Sequence, residues 1–84
     1  MPKFMDYHEK MPQMPPQAMQ QMAGDIKAGK ADQFGTKPIN VFVGKGGQGY
    51  CLCEAPNADA VMKSHQSKGF TMSHKDVIEV QTLV

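Results

Sequence analysis

The chain contains no arginine and no tryptophan, and its nine basic residues are all lysine, set against eight acidic residues for a net charge of +1. That balance argues against nucleic acid as a partner, because phosphate neutralisation calls for clustered arginine and lysine on one face. Long apolar runs are also missing. No stretch approaches the roughly 20 residues of a membrane span, and the N-terminus lacks the apolar core of a secretion signal, so the expected setting is cytoplasmic and away from membranes. Cysteine is scarce: Cys51 and Cys53 are the two present. Two apart on a β-rich stretch, their side chains share a face and are held apart by the extended backbone, which disfavours a disulfide between them. They read as small buried core residues in a reducing compartment.

What the chain has in excess is methionine, eight in 84 residues. Met5, Met11, Met14, Met19 and Met22 gather toward the N-terminus. A length of 84 residues allows a single domain, 1–84, with a core that is adequate rather than generous. A chain of that size more readily gains concave surface by pairing with its own copy than by enclosing a private cavity.

One motif invites a nucleotide-binding reading. In Val43-Gly-Lys-Gly-Gly-Gln-Gly-Tyr50, Gly44, Gly46 and Gly49 are spaced G-x-G-x-x-G. The pattern has a mechanism only where a helix begins at its end and turns its amides toward a pyrophosphate. Here Tyr50 to Ala55 is rich in strand formers and stops at Pro56. The glycines therefore read as the turn of a hairpin.

Strand signals fall at Lys3 to His8, Pro38 to Val43, Tyr50 to Ala55 and Val77 to Leu83. Pro15 and Pro16 suit a helix start, and Met19, Met22, Ala23 and Ile26 recur at helical spacing, predicting a helix from about Pro16 to Phe34 with Gly35 as its stop and its methionines in the core. Residues 11–16 before it are too rich in proline for regular structure. A second helix follows Asn57 as N-cap, carries Ala58, Val61, Met62 and His65 on one stripe, and ends at Lys68 with Gly69 beyond it. The order β-α-β-β-α-β specifies an α+β, ferredoxin-like unit: a four-stranded antiparallel sheet, order 4-1-3-2, with two helices on one face.

That topology brings His8, Tyr50, His65 and His74 to one end of the sheet. Alternation places Phe4, Asp6 and His8 on one face of the first strand. The aliphatic Ile39, Val41 and Val43 suit the helices, so the open face is expected to carry Asp6, His8, Asn40, Phe42, Glu79 and Gln81, with Tyr50, Leu52 and Glu54. Such a mixture of apolar and polar groups fits a homodimer in which two open faces meet.

Three histidines and a carboxylate at one sheet end form a candidate metal site, since imidazole suits zinc, copper and nickel. The donors are Asp6, His8, His65 and His74, with Glu79 as a further one. Two alternatives stand beside it. Thioethers near the N-terminus, joined by Cys51 and Cys53, would handle copper(I). His8 beside Asp6 would also serve as an acid or base in the cavity of a dimeric barrel enzyme, although no nucleophile, base and orienting group stand together.

Asp6-Tyr7-His8, Phe34-Gly35-Thr36-Lys37, Cys51-Leu-Cys-Glu-Ala-Pro56, His65 and Asp76-Val-Ile-Glu-Val80 together resemble the small nickel-binding ferredoxin-like family. The resemblance spans nearly the whole chain. It implies a homodimer of ferredoxin-like subunits that binds nickel or another divalent ion, with no established reaction. The family's D-x-H element falls on Asp6 and His8 and its helix-two histidine on His65. Family members often carry a second histidine soon after that one, where this chain has Gln66, Ser67 and Lys68, leaving His74 as the nearest substitute.

Overall fold

A computed structural model of the chain describes residues 1–11 and 13–83. Its elements run β1 (Lys3–His8), α1 (Pro16–Ala28), β2 (Lys37–Val43), β3 (Gly49–Glu54), α2 (Ala58–Ser67), a single 3-10 turn (His74–Asp76) and β4 (Val77–Val80). The strands form one antiparallel sheet in the order β2-β3-β1-β4, which is the 4-1-3-2 order viewed from its other edge. This is the expected α+β, ferredoxin-like arrangement.

The glycine motif is a hairpin turn. The Gly44 amide donates to the Gln48 carbonyl at 2.8 Å and the Gly47 amide to the Gly44 carbonyl at 3.1 Å, and β3, not a helix, follows. The positive φ of 88° at Gly47 is what an L side chain would resist.

The first helix is shorter than its periodicity suggests. It ends at Ala28, where Gly29 adopts the left-handed conformation and its amide donates to the Asp25 and Ile26 carbonyls. Gly29 thus acts as the stop expected of Gly35. Asp32 then organises the following loop: its Oδ1 accepts from the Phe34 and Thr36 amides at 2.9 and 3.0 Å, and its Oδ2 accepts from the Ser64 hydroxyl on α2. Residues 30–34 are thereby committed to a turn and lost to the helix. No residue of α1 is buried, and Met19 is 56% exposed. The methionine stripe does not enter the core. The loop expected over residues 11–16 is irregular where described; Pro12 lies outside the described residues. At the other end β4 stops at Val80 rather than Leu83, and the 3-10 turn before it has no periodic signal that sequence could supply.

The core lies between the sheet and α2. Phe4, Cys53, Ala55, Ala60, Val61 and Met62, with Val77, form one buried cluster. Val61 has no exposed surface, and burial of such a side chain contributes about 1.5–3 kcal/mol. Asn57 starts α2 as expected, its side chain accepting from the Ala60 amide at 2.9 Å.

The face of β1 is reversed from the sequence expectation. Phe4, Asp6 and His8 turn inward beneath the helices, and all are buried. Register explains it: Asp6 pairs with Cys51, which pairs with Val41. Partners across antiparallel strands share a face, so the aliphatic face of β2 carries Asp6 with it. β1 has apolar residues on both sides, Phe4 on one and Met5 and Tyr7 on the other, and its own alternation could not choose between them. The open face accordingly presents Tyr7, Phe42, Tyr50 and Ile78, all exposed, with the Tyr7 and Tyr50 rings 5.2 Å apart.

Candidate metal centre

Asp6 sits at the middle of β1 with no exposed surface. Nε2–H of His8, two residues along the same strand face, donates to its Oδ2 at 2.6 Å. From α2, Nε2 of His65 reaches the same oxygen at 3.0 Å. Directly across the β1–β3 pairing, Cys51 contributes a sulfur. One donor atom from each of Asp6, His8, Cys51 and His65 lies within 4.8 Å of the others. Ligands that bind a common ion at about 2.0–2.3 Å stand a few ångströms from one another, so the spacing is compatible with one ion.

Orientation is as informative as distance. His65 Nδ1–H donates to the Val61 carbonyl one helical turn back, at 2.8 Å. A histidine whose far nitrogen is committed to a backbone carbonyl has its near nitrogen fixed in direction, as ligating histidines usually do. With Nδ1 donating, the approach of Nε2 to a carboxylate favours a second proton on the ring. The other oxygen of Asp6, Oδ1, is buried and has no hydrogen-bond partner. A buried carboxylate oxygen left unpaired is costly and marks a place where a cation would be welcomed.

Charge follows from this geometry. Burial pushes the Asp6 carboxyl upward, but hydrogen bonds from His65 and His8 and their positive charge outweigh it, so the group is held below its ordinary value. Burial lowers His65, and its contact with Asp6 reverses that and leaves it raised. The Cys51 thiol is pushed up to about 12, first by burial and then by the Asp6 charge. Without a metal it is a thiol, not a nucleophile.

Phe70 closes one side. After Ser67, Gly69 takes a φ of 87° and the Phe70 amide donates to the His65 carbonyl at 2.9 Å, which folds the chain back over the site. Its ring lies 5.6 Å from that of His8 and 5.8 Å from that of His65, while the two imidazoles are 5.3 Å apart. An open hollow of about 500 Å³ beside His8 and Phe70, with Lys10 and Met11 on its wall, gives access from solvent.

Of the donors expected from sequence, the structure brings together Asp6, His8 and His65. It does not bring His74, whose exposed ring lies 3.6 Å from Asp59. Glu79 is exposed on β4, opposite Phe4, and is not part of the cluster. Tyr50 points to the open face. Phe70 escaped the sequence reading, and Cys51 was expected with the methionines rather than with the histidines. Cys51 was legible in principle, since it stands directly across from Asp6 once β1 and β3 are paired. Of the two thiols expected to join the thioethers, Cys51 stands with the histidines and Cys53 lies in the buried core.

The arrangement defines a small α+β domain with a buried, mixed nitrogen, oxygen and sulfur donor set at one end of its sheet. No family model and no curated protein matches the chain in sequence. In structure it is similar to the crystal structure of SCO4226 from Streptomyces coelicolor A3(2), with a TM-score of 0.70 and 24% identity over 98% of this chain and 99% of that one. At that identity the likeness establishes the shared fold. Among the described residues no helix is long and apolar enough to cross a membrane.

Proposed function

We propose that the protein binds a divalent cation, nickel or an ion of similar borderline character, through Asp6, His8, Cys51 and His65, and that it holds or buffers the ion rather than catalysing a reaction. The observation that carries this reading is the convergence of two Nε2 atoms and a thiol sulfur on one fully buried carboxylate, with His65 pre-oriented by Val61. Imidazole, carboxylate and thiolate together suit nickel, zinc and copper(II) and are less apt for calcium or magnesium, which prefer oxygen alone. The buffering role rests on the thiol, whose high pKa leaves no free nucleophile, and on Phe70, which covers one side of the site.

The reading includes a homodimer through the open sheet face. Tyr7, Phe42, Tyr50 and Ile78 make that face more apolar than a solvated surface of this size ordinarily is. Two free thiols on one strand fit a cytoplasmic, reducing setting.

The deciding experiment is a calorimetric or chelator-competition titration of the metal-free protein with nickel, zinc and copper(II). One high-affinity equivalent per chain, abolished in His65→Ala, supports the reading. Binding no tighter than that of a histidine-poor control overturns it. Light scattering at low micromolar concentration tests the dimer separately, and a 9.2 kDa particle would refute it.

A further inference from the structure

Half of the eight methionines line a single groove. Met11 and Met14 enter it from the segment before α1, Met19 and Met22 from the helix itself, and Val41 and Val43 close it on the sheet side, around a hollow of about 230 Å³. Packing does not explain these side chains. α1 buries none of its residues, Met19 is 56% exposed, and Val43 across the groove is 65% exposed. A stripe meant only to seal the core would be served as well by leucine, and here the core is sealed by α2.

The segment bearing the first pair is held in place. The Met11 amide donates to the Gly47 carbonyl at 2.7 Å, tying the segment to the β2–β3 hairpin. The Met11 side chain lies over Gly49, where an added Cβ would collide with its sulfur. Met19 and Met22, three positions apart on α1, project from one helix face. The lining offers no carboxylate, imidazole, thiol or ammonium group, and its one polar side chain is the Asn40 amide. What lines the groove is an uncharged set of side chains with soft thioether donors, which divalent borderline ions disfavour and a soft monovalent ion favours.

We propose that this groove is a second metal site, specific for copper(I), with thioether sulfurs of Met11, Met14, Met19 and Met22 as its donors. It differs from the Asp6 cluster in donors and in chemistry, although Met11 also stands on the wall of the hollow beside His8. Binding there exchanges no proton and transfers no electron, because thioethers do not titrate in the physiological range and the ion enters and leaves as copper(I).

The test uses the full chain with 13C-labelled methionine methyl groups, titrated anaerobically with silver(I) as a redox-inert probe and with copper(I) under chelator competition. Methyl resonances of Met11, Met14, Met19 and Met22 are expected to shift within the first two equivalents, while those of Met5, Met62 and Met72 stay in place. Combined Met14→Leu and Met19→Leu substitution keeps the groove apolar and should weaken copper(I) binding at the groove by about tenfold or more. Affinity at the groove should not change between about pH 5.5 and 7.5, unlike a histidine site. Shifts confined to the Asp6 cluster, or a leucine variant that binds as the parent does, overturn the proposal. The second result is also what a groove built for an apolar protein partner would give.

Discussion

Nε2 of His65 lies 3.0 Å from Oδ2 of Asp6, while the opposite nitrogen of the same ring donates to the Val61 carbonyl at 2.8 Å. When the ring is doubly protonated, the pair is a buried imidazolium–carboxylate contact on which His8 also converges. Such a contact stabilises the fold only while both charges persist, and it opposes the cation that the proposed function requires. Metal binding, as proposed, would replace a proton by an ion.

The metal-free protein should show a pH window of stability set by this pair. Asp6 is lowered on folding, so its contribution is present above its ordinary value of 3.8 and is lost as pH falls through the lower folded value. His65 is raised, so its contribution is complete below 6.5 and is lost as pH rises through the folded value. Urea unfolding in the presence of a chelator should give a maximum between about pH 4 and 6.5 and a decline toward 8.5. His65→Gln should flatten the alkaline limb. An unchanged limb in that variant would place the titrating group elsewhere.

Loading the site should release protons. Cys51 must surrender its thiol proton, from a group pushed up to about 12, and His65, raised by its contact with Asp6, any proton on Nε2. Calorimetry of nickel binding in buffers of different ionisation enthalpy should report release of at least about one proton per ion, with affinity rising as pH rises. Cys51→Ser should reduce that release by about one. Equal release from parent and variant would remove the sulfur from the coordination sphere.

Ligand substitutions should separate the assembled cluster from the residues left outside it. His8→Ala should weaken nickel binding by about 100-fold or more, since loss of even an outer-shell partner costs 10–100-fold. His74→Ala and Glu79→Ala should bind as the parent does, because His74 faces Asp59 and Glu79 is exposed. A large loss in His74→Ala would require a rearranged segment around residues 70–76 on binding.

Much of the architecture was legible because its signals are local. Asn57, Gly69 and the hairpin glycines each act within a few residues, and the element order then constrains the topology. The site was only half legible. Cys51 follows from the pairing of β1 with β3, whereas the meeting of Asp6 and His8 with His65 of α2 depends on which face of β1 turns inward. That choice is made by the cross-strand register and by a partner strand, β2, that is remote in sequence. The role of α1 was misread for a related reason: a periodic stripe of methionines reads as core wherever it occurs, and only the burial of its residues reveals that the stripe stays open. His74 was drawn into the expected cluster by its chain position, but the 3-10 turn that carries it turns the ring toward Asp59.

Asp32 supplies the last prediction. It joins the loop after α1 to the outer part of α2, with one carboxylate oxygen accepting two backbone amides, Phe34 at 2.9 Å and Thr36 at 3.0 Å, and the other accepting the Ser64 hydroxyl. Burial raises the Asp32 carboxyl, but the Ser64 contact and the two amides outweigh it and hold the group below its ordinary value. Removal of the side chain leaves three donors without their partner, two of them on the buried residues Thr36 and Ser64. Asp32→Ala should therefore cost about 2–3 kcal/mol, in keeping with charge-assisted hydrogen bonds of about 1.5–3 kcal/mol each that solvent partly replaces. For a chain of 84 residues that corresponds to a fall in Tm of at least about 8 °C. Ser64→Ala removes a single contact and should cost about 1 kcal/mol. The double variant should be no worse than Asp32→Ala, because the hydroxyl loses its partner in either background. Strict additivity of the two losses in thermal unfolding would mean that Ser64 and Asp32 stabilise the fold independently, and that α2 is held over the metal centre by its apolar face alone.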